Sequence, residues 1–135
     1  VGPMCRRPAP SRWAVPGGIA VAILVASLVP LPGSRMAPTL VPFGVDAWLH
    51  VVGYAALAAS LSRAVPTADH GGPIVVAVTA AVCFGVGIEL LQTAVPTRGF
   101  ARSDIAADAI GSAIGGVGWW RSRRRFTDRG GSRHR

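Results

Sequence analysis

Lysine is absent from this 135-residue chain: all 14 basic residues are arginine, and only six acidic residues oppose them. Charged residues make up 15% of the sequence, where an ordinary soluble domain carries about 25%. Half of the chain is apolar, and its mean hydropathy is +0.44. The shortage of charge is sharper than the average suggests, because seven of the arginines follow Trp120. Without that tail the chain is too apolar for water, which excludes an ordinary soluble domain. Its length allows one domain.

Cysteine is scarce as well. Cys5 and Cys83 lie far apart and match no disulfide or metal-ligand spacing. Cys83 falls inside an apolar run and reads as a small core residue. Signatures of nucleophilic catalysis are also missing: there is no G-x-S-x-G and no pair of histidines at metal-binding spacing. An isoelectric point near 11.6 would suggest a nucleic-acid partner. The arginines cluster instead at the ends of apolar runs, the pattern that orients a membrane protein, so no nucleic acid is expected.

What is present is four apolar stretches, Ala14 to Leu31, Val45 to Leu61, Pro73 to Val95 and Ile105 to Trp120. A transmembrane helix needs about 20 residues, and helices satisfy their own backbone in lipid. The connectors are punctuated by turn formers: Pro30 and Pro32, Pro66, Gly71-Gly72-Pro73, and Pro96 with Gly99. The expected fold is therefore all-α, a bundle of four transmembrane helices spanning 14–120. A short cytoplasmic segment, 1–13, precedes it, and an Arg-rich tail, 121–135, is expected to be disordered. Arg6 and Arg7 before the first run also suit a signal peptide, but Pro30 and Pro32 occupy the place of a cleavage site, so a retained helix is expected.

Eleven arginines (Arg6, Arg7, Arg12, Arg63 and the tail) fall on one side of the four spans, against Arg35, Arg98 and Arg102 on the other. Both termini are thus expected in the cytoplasm, in a multi-pass protein of the plasma membrane. Trp13, Trp119 and Trp120 would mark the inner interface and Trp48 the outer one.

Ionisable residues at membrane depth are costly and mark functional candidates. Asp46, His50 and Tyr54 recur every four residues, Glu89 and Gln92 are three apart, and Asp104 and Asp108 are followed by Gly111 and Gly115. Each set shares one helix face. The alternating topology brings all three to the same outer depth, near the loop carrying Arg98. Arg98 suits bidentate contact with carboxylate or phosphate. Gly85, Gly111 and Gly115 permit close helix approach.

These residues resemble the VanZ-like family. Asp46-Ala47-Trp48-Leu49-His50 with Gly53-Tyr54 is similar to its first motif, Asp-Lys-x-x-His with a downstream Tyr. Glu89-Leu90-Leu91-Gln92, Pro96-Thr97-Arg98, Asp104 and Gly111 are similar to its second. Ala47 replaces the usual Lys and Asp108 the usual Asn, which makes this version more acidic. The resemblance spans about 46–115. It implies a multi-spanning microbial membrane protein of a family whose founding member is linked to resistance to the glycopeptide antibiotic teicoplanin, and whose biochemical activity is not established.

Four functions are compatible with these residues. The leading expectation is an outward-facing polar site (Asp46, His50, Tyr54, Glu89, Gln92, Arg98, Asp104, Asp108) that binds membrane lipid, an envelope lipid or a cell-wall intermediate. The others are a membrane enzyme with Glu89 or Asp104 as acid or base, a proton-coupled carrier that four helices would build only as a homo-oligomer, and a structural or partner-binding protein whose polar groups are packing glue. No cofactor and no metal are expected: zinc takes three or four ligands and one His is at hand, leaving a carboxylate site for Mg²⁺ or Mn²⁺ as the open alternative.

Overall fold

A computed structural model describes residues 11–29, 45–66, 72–95 and 99–131. The protein is all-helical over these residues, with four helices and no strands: α1 (Ala14–Leu28), α2 (Val45–Ala64), α3 (Gly72–Gln92) and α4 (Arg102–Gly131). The N-terminal segment, with Cys5, Arg6 and Arg7, and the loop carrying Arg35 lie outside the described residues, as do Pro96, Thr97 and Arg98.

Local chemistry sets the helix ends. Asp46 stands in the first turn of α2 and Arg63 in its last, each complementing the helix dipole. Gly72-Pro73 opens α3, where a missing amide costs nothing. Asp104 stands in the first turn of α4. That helix does not stop at Trp120. It continues through the arginine-rich stretch to Gly131, where the sequence suggests a disordered tail from Arg121. Arginine is a good helix former, and the guanidinium of Arg123 sits over the Trp119 ring at 5.0 Å, that of Arg124 over Trp120 at 3.9 Å. The continuation therefore has both propensity and side-chain contact behind it.

Packing is closest between α2 and α4. The two run parallel in a fixed register, because a β-carbon on Gly111 would strike the backbone carbonyl of Val51 and one on Gly115 that of Ala55. Gly116 turns toward α3, where a β-carbon would lie 2.9 Å from Val78 Cγ2 and 3.0 Å from Ile74 Cγ2. Small residues at a helix crossing let backbones approach and form dispersion contacts along their length. A core of Tyr54, Leu57, Ala58 and Ala81 completes the centre, with Ile19, Ile23 and Phe84 packed against it.

Polar groups share the interior with that apolar core, and large apolar side chains lie on the outside. Glu89, Gln92, Asp108, Ser112 and Ser62 are buried, while Val21, Leu49, Val52, Val75, Leu90 and Ile114 are more than half exposed. One described helix, α3, is both long and apolar enough to cross a membrane, and most of its apolar window is unburied. α1 is apolar but shorter, at 15 residues. The expected four spans are thus seen as four helices, of which one meets the length and composition of a span.

Candidate functional site

Three helix ends meet at one end of the bundle: the start of α2, the end of α3 and the start of α4. The centre is His50, 9% exposed. Its Nδ1 lies 2.8 Å from Asp108 Oδ1 across α2 and α4. With Asp108 ionised its oxygen accepts, and Nδ1 is the ring nitrogen that carries the proton. The far side of the ring, Nε2, lies 3.8 Å from Asp104 Oδ2, too long for a hydrogen bond. The other oxygen of Asp104 accepts from the Ser103 hydroxyl at 3.1 Å. One donor atom each from Asp46, His50 and Asp104 lies within 4.8 Å of the others.

Below this group the polar residues become fully enclosed. Tyr54 is 1% exposed, stacks on His50 with ring centroids 6.1 Å apart and planes 4° from parallel, and meets the tilted ring of Phe84 at 6.4 Å. Asp108 also packs against Gly85: a β-carbon there would strike its Oδ2 and come within 3.1 Å of Tyr54 Cε1. Glycine at 85 is therefore what admits the carboxylate. Ser112 Oγ and Glu89 Oε1 are buried with no hydrogen-bond partner among the described residues, while the Tyr54 hydroxyl and the Asp108 carboxylate interact with each other. A buried polar atom left unpaired costs about 1–3 kcal/mol.

Glu89 ties a loop to the bundle. Its Oε2 accepts the Ala101 amide at 2.8 Å, just before α4 begins. Gln92 reaches the other way, its Nε2 donating to the Ser27 carbonyl of α1 at 2.9 Å. Glu89 is wholly buried, so in this conformation a substrate cannot touch it. Asp104, 19% exposed, is reachable.

Of the residues singled out from sequence, Asp46, His50, Tyr54, Asp104 and Asp108 form one connected group, and Glu89 and Gln92 join the elements around it. Arg98 falls outside the described residues. Gly111 and Gly115 are contact points between α2 and α4, as their spacing suggests, and Gly85 borders the carboxylate of Asp108. Sequence reading passed over Ser112 and Ser27. Ser112 sits four residues after Asp108, on the same stripe, and that spacing was the available signal. Ser27 contributes a backbone carbonyl, for which a side-chain pattern carries no signal.

Beside the polar group an apolar groove of about 370 Å³ lies between α2 and α4, lined by Ala47, Trp48, Val51, Ser103, Ala107 and Ile110 among others. It begins at the neighbours in sequence of Asp46 and Asp104 and runs toward the middle of the bundle. Comparison of the chain with known protein families, curated proteins and solved structures finds no match.

Proposed function

We propose that the chain is a membrane-embedded four-helix protein of the VanZ-like type, oriented with both termini in the cytoplasm, that binds the polar headgroup of an envelope lipid or lipid-linked cell-wall intermediate at its outer end. The observation that carries this reading is the juxtaposition of a polar group with an apolar groove. Ala47 and Ser103, next in sequence to Asp46 and Asp104 of the polar cluster, line the groove between α2 and α4, a pairing that suits an amphiphile: headgroup against the polar side chains, acyl chain along the groove. Membrane embedding is supported by buried carboxylates and by large exposed valine and leucine side chains. Shortness of α1 is no obstacle where interfacial residues and tilt accommodate mismatch. The family assignment rests on the residues from Asp46 to Gly115 that resemble its motifs, and a glycopeptide-resistance role is the phenotype it suggests.

The enzyme reading is weakened by the burial of Glu89, since a general base must come within hydrogen-bond reach of its proton. The test is native mass spectrometry of the chain extracted with its lipids, wild type beside Asp104→Asn and Arg98→Ala. A discrete lipid adduct on the wild type, lost from both variants at unchanged helix content, is the expected result. Bare protein in all three spectra would leave the polar group as structural glue.

A further inference from the structure

We infer that Asp46, His50 and Asp104 form a binding site for one first-row divalent metal ion, with His50 Nε2 and a carboxylate oxygen from each aspartate as donors. Two carboxylates near each other do not make a site, and an acid in the first turn of α2 or α4 is accounted for by the helix dipole alone. What points to a metal is the histidine between them. His50 is almost wholly enclosed, and Asp108 takes the proton of its Nδ1 at 2.8 Å. In that tautomer Nε2 carries the lone pair, on the side of the ring that faces Asp104. A carboxylate behind a histidine is the arrangement that orients metal-bound imidazole and raises its basicity.

Nε2 has no hydrogen-bond partner among the described residues, and its separation of 3.8 Å from Asp104 Oδ2 suits two donors of one ion. Zinc bonds to nitrogen and oxygen are about 2.0–2.2 Å long, so atoms sharing an ion lie up to about 4.2 Å apart. The three donors span at most 4.8 Å, and Asp46 is exposed, so its side chain is free to adjust. Charge argues the same way. Asp46, Asp104 and Asp108 surround one imidazole, and among the described residues His50, neutral when its Nε2 offers a lone pair, is the only basic group within ion-pair distance of Asp104 and Asp108. A divalent ion relieves that repulsion. One imidazole with two carboxylates selects from the Mn²⁺-to-Zn²⁺ range over Ca²⁺, which takes oxygen ligands alone. Three protein donors leave a coordination position open.

This deepens the headgroup reading and rests on it in one respect: a phosphate oxygen of the headgroup would take the open position. The experiment is Mn²⁺ titration of the full chain in lipid nanodiscs of phosphatidylcholine, followed by electron paramagnetic resonance, with Zn²⁺ as competitor. Expected are one Mn²⁺ per chain, displacement by Zn²⁺, and ¹⁴N modulation of the spin echo from a coordinated imidazole. The ¹⁴N signal is read on the wild type, so it does not depend on a variant that folds. His50→Gln and Asp104→Asn should abolish it, and Asp108→Asn should weaken Mn²⁺ about 10–100-fold while the ¹⁴N signal persists at saturation. Absence of stoichiometric Mn²⁺, or bound Mn²⁺ without nitrogen coupling, overturns the inference. A lipid adduct that survives complete chelation in the native mass spectrum overturns the placing of the headgroup phosphate on the metal. Bound Mn²⁺ with nitrogen coupling but no lipid adduct upholds the metal site and removes the headgroup reading.

Discussion

Asp108 is held on one side by His50 and on the other by the space that Gly85 leaves. Replacing it tests the two roles separately. Asp108→Leu removes the acceptor of a nearly enclosed imidazole and crowds Gly85, and should cost about 1–3 kcal/mol in unfolding measured by circular dichroism. Asp108→Asn retains the volume and should cost less. Gly85→Ala should be destabilising too, because the methyl group has only the buried carboxylate and the Tyr54 ring to displace. These positions also show what was legible beforehand. The spacing of Asp46, His50 and Tyr54, and of Asp104 and Asp108, was enough to place them on common faces. Which faces oppose each other, and that His50 bonds to Asp108 with Asp104 at its other nitrogen, follows from packing across 58 residues of sequence, which periodicity does not encode.

At the scale of the helix, α4 divides into a packed half and a projecting half. Glycines in the packed half are structural: Gly115→Leu would drive a side chain into the Ala55 carbonyl and should cost at least about 1–3 kcal/mol, read from heat-induced loss of helix signal. Gly118 meets nothing within 4 Å, so Gly118→Ala should be neutral or gain about 0.5–1 kcal/mol from helix propensity in the same assay. A pattern that reversed these two outcomes would refute the parallel register of α2 and α4. The extension of α4 past Trp120 was not legible from the sequence. Its arginine-rich composition resembles a solvated tail, whereas the stacking of Arg123 and Arg124 on the preceding tryptophans depends on the helix already being formed.

For the whole molecule, the decisive issue is what solvent covers the outside. Cys83 is exposed near the middle of α3. In a Cys5→Ser background it should resist a charged, membrane-impermeant maleimide in sealed vesicles and also after detergent exchange, while Phe100→Cys and Phe126→Cys in a Cys5→Ser, Cys83→Ser background react from opposite faces. Rapid labelling of Cys83 in vesicles would contradict the membrane-embedded reading. Four helices and their order were evident from hydropathy and turn residues, because α-helical spans announce themselves by long apolar runs. The fate of each helix was less evident, since α2 and α4 combine apolar faces with buried charge and so fall short of the composition of a span.

The pairing of α2 with α4 has a consequence for the order in which the protein is made. His50 leaves the ribosome 58 residues before Asp108, and at about 5–20 residues per second that interval lasts about 3–12 s. During it α2 carries a histidine whose partner, Asp108, has not been synthesised, and Glu89 of α3 gains the Ala101 amide only shortly before the interval ends. The first three helices are therefore an unfinished assembly with unmet polar groups, and the emergence of α4 closes it. A chain truncated before Arg102 should be cleared by cellular proteolysis far faster than the full-length protein.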